Sequence, residues 1–435
     1  MRRRFSLRGV RPMRGATTVI ACVMFCAHVT AAEPRVGDAG ASPDPAKFDE
    51  HYPDMKAWAE AGVRGGIPPR GQEKVLKTVK PGDDLQAAIS AVARQGGGVI
   101  LLSAGVYPIG ARLDLASGVV LRGEDEDKVI LECTTRSNKL TDTYFTVRLG
   151  GTRHAGLEDL TIRHAQVAKL GQKIYAESVA GAKNDVNRVT DLYVGGVQLE
   201  RAEDCWLDNV NILHSGSHPL DVQGDHVTVR DTLIDGAFNK GEEGGPAGSG
   251  NVYFAADHGL FYNNTVRNTR HALVLRDTLA GGTCKFNVIL DCNFEGDVNF
   301  HGNRKDEGHH LFEGTLVHSP PSHGWPAWAY WKRTEIGEGT LVYKSLGWGG
   351  KGDAFTSTDP AKVYTYTGIR DPNILGVLDK PAPKAGTLYA VQADRPTTIE
   401  KLGAWPKTPG EAERLLRERE IRGVASPAGS RSRLE

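Results

Sequence analysis

The sequence has few cysteines, few aromatic residues and no excess of charge of either sign. Its 435 residues include 6 cysteines and 7% aromatic residues, and 53 basic side chains balance 53 acidic ones. The balanced charge argues against a basic nucleic-acid-binding surface, so no nucleic acid is expected as a partner. Glycine is abundant, at 52 residues. This composition indicates a soluble, turn-rich protein and argues against disorder.

Four cysteines lie beyond the N-terminal segment: Cys133, Cys205, Cys284 and Cys292. In the repeat described below, Cys205 and Cys284 occupy matching positions three coils apart. That is about 14 Å at the spacing of neighbouring strands, too far for a disulfide. We therefore predict free, buried thiols that act as small apolar side chains. No cysteine and histidine spacing predicts a zinc site, and no cofactor is expected.

A transmembrane-length apolar run is also lacking. The run at residues 16–29 is shorter than the roughly 20 residues that span a bilayer. Six arginines precede it within residues 1–14, and Thr30-Ala31-Ala32-Glu33 follows it. This pattern predicts a signal peptide over residues 1–32 and export to the periplasm or the extracellular space, without membrane attachment after cleavage. Arg2-Arg3-Arg4-Phe5-Ser6-Leu7 also resembles a twin-arginine signal, so either export route is open.

The stretch from Val194 to Leu346 contains a repeat. Six segments share one alternating pattern: Gly196–Glu200, Pro219–Gln223, Asn251–Ala255, Ala272–Arg276, Asp297–His301 and Ala327–Trp331. Most are followed by a second β-rich run: Cys205–Val210, Val227–Asp231, Gly259–Asn264, Lys285–Leu290 and His310–Gly314. Short strands repeating every 20 to 30 residues or so, without a helical period, are typical of a solenoid. We predict an all-β fold, a parallel β-helix.

The flanking segments differ from the repeat. Residues 33–78 read as a linker or an irregular arm, and residues 79–350 as the β-helix domain. Helical spacing from Asp83 to Ala93, followed by three glycines, predicts a helix that caps the first coil. Residues 351–435 are expected to be an irregular tail with a short helix at Glu411–Leu416.

The first coils carry a family resemblance. Their segments follow in the order helix, Gly96-Gly97-Gly98-Val99-Ile100-Leu101-Leu102, Leu113-Asp114-Leu115 and Gly118–Gly123. This order is similar to the opening of the pectin-lyase-like superfamily. That superfamily of right-handed parallel β-helices includes polysaccharide lyases, polygalacturonases and polymer epimerases. The resemblance covers about Val79 to Leu346 and implies a right-handed parallel β-helix, but it does not select a reaction.

Strand alternation predicts which side chains of the repeat point outward. The residues expected inside are Leu199, Val222, Phe254, Leu275, Phe300 and Tyr330. One outward column then holds Glu200, Gln223, Ala255, Arg276, His301 and Trp331, and the other holds Gln198, Asp221, Tyr253, Val274, Asn299 and Ala329. Stacked strands lie about 4.8 Å apart, close to the rise per sugar of an extended polysaccharide, so consecutive coils could contact consecutive sugars.

Basic and aromatic residues concentrate around Arg276 and His301, which fall in adjacent coils. They include His271, Lys285, Arg304, Lys305, Trp325, Trp331 and Lys332. Cations suit carboxylate or sulfate groups and flat rings suit pyranose faces, so an acidic polysaccharide is the expected partner. We predict substrate binding by Asp221, Gln223, Arg304, Lys305, His271, Trp325 and Trp331.

The string from Asp297 to Gly302, followed by His309–Gly314, also resembles the family of chondroitinase B and many alginate lyases. That family has an arginine where His301 stands and a lysine in or after the preceding coil, where this sequence offers Arg276 and Lys285. Its calcium-binding carboxylates are replaced by Val274 and Arg276. The resemblance therefore implies a lyase, while a role for Ca²⁺ is not supported.

A lyase neutralises a uronate carboxylate, removes the neighbouring proton and protonates the leaving oxygen. We assign Arg276 and Asn299 to neutralisation, His301 to proton abstraction, and Tyr253, Lys285 or Lys332 to the acid.

The alternatives are an inverting hydrolase, for which Glu200 and Asp221 lie about 8 Å apart across neighbouring coils, a C5-epimerase, and a non-catalytic carbohydrate-binding β-helix.

Overall fold

A computed structural model describes residues 33–137, 144–170, 192–238, 250–276, 283–301, 308–320, 327–330, 339–349, 363–366, 381 and 383–395. The predicted signal peptide and the predicted helix at Glu411–Leu416 lie outside these residues. Within the described ranges, no helix is both long enough and apolar enough to span a membrane.

Helices are few in this fold. They are a 3₁₀ helix at Pro45–Lys47, α1 (Met55–Trp58), α2 (Leu85–Ala93) and α3 (Ala165–Leu170). The strands are β1 (Ser42–Pro43), β2 (Val75–Val79), β3 (Gly98–Leu102), β4 (Gly105–Ile109), β5 (Leu113–Asp114), β6 (Val119–Gly123), β7 (Val129–Cys133), β8 (Tyr144–Gly150), β9 (Gly156–His164), β10 (Val194–Glu203), β11 (Trp206–Ser215), β12 (Leu220–Asp225), β13 (Thr228–Arg230), β14 (Leu233–Ala237), β15 (Asn251–Phe254), β16 (Leu260–Tyr262), β17 (Thr265–Arg267), β18 (His271–Arg276), β19 (Val288–Leu290), β20 (Asn293–Glu295), β21 (Val298–His301), β22 (Leu311–Glu313), β23 (Leu316–Ser319), β24 (Trp328–Tyr330), β25 (Thr340–Tyr343), β26 (Leu346–Gly349), β27 (Val363–Tyr366) and β28 (Val391–Gln392).

β1 and β28 form an antiparallel pair. The other strands stack into three parallel sheets, and each repeating coil from β12 onward contributes one strand to each sheet. The first sheet has the order β5-β8-β10-β12-β15-β18-β21-β24. The second sheet contains β13, β16, β19, β22 and β25, and the third contains β14, β17, β20, β23 and β26. The long strand β11 bends from the second sheet into the third, because it pairs with both β13 and β14. The fold is a right-handed parallel β-helix, as predicted.

The predicted register of the first strand of each coil is confirmed, except at the start of β18. Leu199 pairs with Val222, Val222 with Phe254, and Leu275 with Phe300, and all five side chains lie in the interior core. Tyr330 pairs with Phe300 as expected, although its side chain is outside the described set. The third strand of each coil was not predicted, because most of these strands are short and partly polar, as in Thr265–Arg267 and Asn293–Glu295.

Helix α2 forms where the sequence predicts it and covers the first coils. Asp84 begins it as N-cap, with its carboxylate accepting a hydrogen bond from Ala87 N. Its apolar face, Leu85, Ala88, Ile89 and Val92, joins the core of the β-helix. Burial of this face removes the apolar interior of the first coil from water, which supports the predicted capping role.

The segment from Pro34 to Ile67 packs along the outer face of the second sheet, and we call it the arm. Its buried residues Val36, Tyr52, Met55, Trp58, Ala59 and Ala61 form one apolar cluster with outward residues of that sheet, namely Leu260, Tyr262, Val288, Leu290, Leu311, Leu341 and Tyr343. Leu388–Val391 join the same cluster. The second sheet is therefore largely apolar on both faces, as expected for strands buried on both sides, with Arg230 and Glu313 as charged exceptions on its outer face.

All four described cysteines are free and buried, as predicted. The predicted match between Cys205 and Cys284 is wrong. Trp206 pairs with Thr228, Thr228 with Leu260 and Leu260 with Val288. The counterpart of Cys205 in the later coil is therefore Asn287, and Cys284 precedes that position by three residues, since the loop before it changes length.

Candidate functional site

The outer face of the first sheet carries the predicted columns in register. Asp221 pairs with Tyr253, Tyr253 with Val274, Val274 with Asn299, and Asn299 with Ala329. Two residues further along, Glu200 pairs with Gln223 and Arg276 with His301. The backbones of Arg276 and His301 are therefore neighbours, while their side chains are not part of the described structure.

A β-bulge at the start of β18 changes one predicted alignment. Asn251 pairs with His271 and Tyr253 with Val274, so three steps along β18 oppose two along β15. The alignment of Ala272 with Asn251 was therefore wrong, and Ala272 lies in the core instead. Bulges redirect single side chains and are common beside active sites. Here the extra residue places His271 next to Asn251, at the edge of the outer face of the first sheet, which we call the polar face.

His271 contacts a buried carboxylate. Its Nδ1 lies 2.9 Å from both carboxylate oxygens of Asp297, and the two side chains are 2% and 0% exposed. Asn299 Nδ2 donates a second hydrogen bond to Asp297 Oδ2 at 3.0 Å. Two hydrogen bonds to one buried carboxylate hold the imidazole and the amide in fixed orientations.

Asn299 also has an amide oxygen, Oδ1, that is buried without a hydrogen-bond partner among the described residues. Leaving a buried acceptor unpaired costs about 1 to 3 kcal/mol.

Tyr253 lies in the centre of the face. Its phenol oxygen accepts a hydrogen bond from Asn251 Nδ2 at 2.7 Å, a contact that does not use the phenolic hydrogen. Its ring centroid lies 4.9 Å from that of His218. The backbone N–H of Asn251 donates to Nδ1 of His218 at 3.2 Å, so this nitrogen is unprotonated and the imidazole is neutral in this arrangement.

Carboxylates on the same face already have partners. Asp221 accepts hydrogen bonds from Gln223 Nε2, at 3.1 and 3.0 Å, and from Gln198 Nε2 at 3.3 Å. Glu200 forms an ion pair with Arg148. Most side chains in this row are buried despite their outward direction: Asp221, Gln223, Tyr253 and Asn299 are each at most 6% exposed.

Other predicted residues lie elsewhere. Lys285 is in the turn that leads to β19, where it bridges to Gly308 and interacts electrostatically with Asp257, so the structure does not place it on the first sheet. Arg304, Lys305, Trp325, Trp331 and Lys332 lie outside the described residues.

Three residues that contact the predicted site residues on the polar face were missed from the sequence: His218, Asn251 and Asp297. Asn251 precedes Tyr253 by two residues, and Asp297 precedes Asn299 by two. Side chains two apart on a strand share a face, so the alternation that located Tyr253 and Asn299 could have located these two as well. His218 precedes its strand and carried no comparable signal.

In the part of the chain that the structure describes, one group of side chains has the geometry to hold a metal ion: Asp225, His226 and His258. It lies in the turns after β12 and β15, away from the polar face.

No model of a known protein family and no curated protein matches the chain. Among solved structures, the pectate lyase Pel9A is 12% identical over 78% of this chain and 88% of its own, with a TM-score of 0.46. The A-module of the mannuronan C-5 epimerase AlgE6 from Azotobacter vinelandii is 18% identical over 65% and 74%, with a TM-score of 0.43. PfbA, a surface adhesin of Streptococcus pneumoniae, is 13% identical over 68% and 76%, with a TM-score of 0.44. Two enzymes and an adhesin share this similarity, so it does not extend to activity.

Proposed function

We propose that this protein is a carbohydrate-active enzyme that cleaves an acidic polysaccharide by β-elimination on the outer face of the first sheet. The observation that carries the proposal is the register of three neighbouring strands. It brings Tyr253, Asn299 and the paired positions Arg276 and His301 onto adjacent coils. These residue types can supply the acid, the charge neutralisation and the base that the reaction needs.

Neutralisation of the uronate carboxylate is assigned to Arg276 and Asn299. An arginine is always protonated and binds a carboxylate through two parallel N–H groups. Asn299 spends one N–H on Asp297 and retains a second N–H and the unpaired Oδ1. A neutralised carboxylate makes the hydrogen on the adjacent carbon more acidic, because the carbanion formed there delocalises onto the carboxyl group.

Proton abstraction is assigned to His301. Its backbone pairs with that of Arg276, so a base at this position is adjacent to the group that neutralises the carboxylate. A histidine with an ordinary pKa is about half to mostly neutral near pH 7 and can accept a proton there. The C5–H electron pair then forms the C4=C5 double bond as the C4–O bond breaks.

Protonation of the leaving oxygen is assigned to Tyr253. Of the three acid candidates, Lys285 lies in a turn outside the first sheet, and Lys332 lies outside the described residues. Tyr253 is in the same outward column of the first sheet as Asn299. The hydrogen bond from Asn251 would stabilise the phenolate left after proton transfer.

Arg148 argues against the hydrolase alternative. An inverting glycosidase needs one protonated carboxylic acid opposite a carboxylate base. Glu200 is paired with Arg148, and Asp221 accepts hydrogen bonds from two amides. Neither carboxyl group is therefore arranged as a proton donor.

We assign Asp221, Gln223 and His271, with Arg304, Lys305, Trp325 and Trp331, to substrate binding.

The proposed enzyme acts outside the cytoplasm, because residues 1–32 have the pattern of a cleaved export signal. N-terminal sequencing of the protein recovered from the periplasm or the medium should begin after Ala31 or Ala32. Recovery of the uncleaved chain in the cytoplasm alone would contradict this assignment.

The function is tested by incubating the mature protein with alginate, pectate, chondroitin sulfate, dermatan sulfate and hyaluronan. β-Elimination creates an unsaturated uronate that absorbs in the ultraviolet, and we expect this signal with at least one polymer. Reducing ends without the absorbance would indicate hydrolysis. Incorporation of solvent deuterium at C5 without chain cleavage would indicate epimerisation, and binding without either change would indicate a carbohydrate-binding protein.

A further inference from the structure

The turns that follow the first sheet carry a stack of rings. His226, His258, Phe286 and His309 occupy the same position in successive coils, each with a positive φ of 50 to 53°. Neighbouring ring centroids lie 5.1, 5.0 and 5.0 Å apart. Stacking alone would account for the rings, and histidine tolerates this left-handed conformation. It does not account for the arrangement of nitrogen and oxygen atoms around the first two histidines.

Asp225, His226 and His258 bring together potential metal ligands from two adjacent coils. One ligand atom from each residue lies within 4.8 Å of the other two. Metal–ligand distances of about 2.0 to 2.2 Å require ligand atoms about 3.3 Å apart in a tetrahedral site, so small side-chain rotations would complete the geometry. The Asp225 side chain is 48% exposed, which leaves a path for an ion to enter.

Both imidazoles have the outer contacts that metal-binding histidines use. Nδ1 of His226 lies 3.1 and 3.0 Å from the carbonyl oxygens of Glu60 and Gly62, which accept hydrogen bonds only, so this nitrogen carries the hydrogen. Nδ1 of His258 lies 2.9 Å from Asp257 Oδ1, a close electrostatic contact that is not aligned as a hydrogen bond. A carbonyl or a carboxylate next to Nδ1 favours a hydrogen on that nitrogen and leaves the lone pair of Nε2 for a metal.

We propose that Asp225, His226 and His258 form a binding site for one divalent transition-metal ion of the zinc type. Two imidazoles and one carboxylate suit Zn²⁺ and related first-row ions, whereas Ca²⁺ and Mg²⁺ prefer oxygen ligands alone. Three protein ligands leave a fourth position for water. The site is independent of the proposed lyase chemistry, because Asp225 is four residues, about 13 Å, beyond Asp221 along β12.

The site would also fasten the arm to the β-helix. His226 belongs to the coil, while the carbonyl groups that hold its Nδ1 belong to arm residues Glu60 and Gly62. A metal on Nε2 would fix the ring between the two segments. Binding to the folded state alone raises stability in proportion to the logarithm of the metal concentration.

The test measures zinc binding by the intact mature protein after treatment with a chelator and dialysis. Titration calorimetry and elemental analysis should give about one zinc ion per chain, and the melting temperature should rise on addition of zinc. His258→Asn and Asp225→Asn should each weaken zinc binding at least tenfold, on the order of the loss seen when metal-site groups are removed. Asparagine keeps the size of Asp225 and tolerates the positive φ at His258.

His154→Asn is the matched control. His154 has the same turn conformation, with φ 50°, and its Nε2 lies 3.9 Å from a carboxylate oxygen of Asp204, but none of the described histidines stacks on it. This variant should bind zinc as the wild type does. Less than a tenth of an equivalent of zinc in the wild type, or equal affinity in the wild type and both site variants, would overturn the proposal.

Discussion

The outer faces of the first and second sheets are both buried, but the first is polar and the second is largely apolar. The second sheet presents leucine, valine and tyrosine side chains that pack under the arm. The first sheet presents Asp221, Tyr253, His271 and Asn299, which hydrogen-bond within the row and its neighbours. Apolar burial stabilises a fold without selecting a ligand, whereas an unpaired buried acceptor such as Asn299 Oδ1 is costly unless something binds to it. The buried apolar face contributes to stability, and our proposal places the substrate on the polar face.

Charges reinforce this division. Arginines connect the arm, the residues just after it and the C-terminal segment to acidic residues in and between strands of the β-helix: Arg35 to Asp231, Arg64 to Asp204, Arg70 to Asp159 and Arg395 to Asp291. Arg230 lies beneath the arm, where it pairs with Asp38 and with the buried Asp208. Burial alone would raise the pKa of Asp208, but the adjacent Arg230 and Arg70 lower it well below its usual range.

The largest expected effect is on the first sheet. His301→Ala should lower kcat by about 10²- to 10⁴-fold, the usual contribution of a general base, with little change in the free energy of unfolding. Initial rates of unsaturated-product formation and urea denaturation measure the two quantities. The exposed control His154→Asn should keep full activity. An active His301→Ala variant would remove this residue from the mechanism.

The next effect concerns the second sheet. Arg230→Leu leaves the buried carboxylate of Asp208 without its closest cation, so the free energy of unfolding should fall by about 3 to 5 kcal/mol. Arg112→Leu, which breaks an exposed pair with Asp114, is the control and should cost less than about 1 kcal/mol. Equal losses in the two variants, measured by urea denaturation, would show that burial under the arm adds nothing to the ion pair.

Asn299→Leu tests the division between the faces directly. It removes the unpaired acceptor and one hydrogen bond to the buried carboxylate of Asp297, so its cost in stability should be about 1.5 to 3 kcal/mol. It should still lower kcat/KM about 10- to 100-fold, the value of a hydrogen bond to a charged group. A large loss of stability with unchanged kinetics would assign Asn299 to the scaffold.

The smallest effect is a pH dependence at the second-sheet edge. Burial, with a smaller contribution from His309, lowers the pKa of His310 to about 3, against about 6.5 in the unfolded chain. The unfolded state therefore takes up the proton first as the pH falls. The contribution is complete above about pH 6.5 and decreases by up to about 1.4 kcal/mol per unit below it.

Denaturation of the wild type and of His310→Asn between pH 7 and pH 5 measures this term. The slope between these pH values should be smaller in the variant, which lacks the titrating group. Parallel curves for the two proteins would exclude His310 as the source.

Local sequence patterns predicted much of the fold and part of the site. Alternation along Pro219–Gln223 and Asp297–His301 identified the core residues Val222 and Phe300 and the outward residues Asp221 and Asn299 correctly. This worked because a parallel β-helix keeps strands in register, so one period of two applies in every coil. The same rule failed at Ala272, where the bulge adds a residue to β18.

The sequence by itself determined the repeat, the inward and outward sets of side chains and the capping helix, because each depends on neighbours within a few residues along the chain. Only the tertiary structure decided that the arm covers the second sheet, that His271 meets Asp297, and that His226 and His258 stack within reach of Asp225. These contacts join residues far apart in the sequence, for example His271 and Asp297 at 26 positions and Trp58 and His309 at 251. Such pairings arise from the packing of whole coils and segments, and local propensity does not encode them.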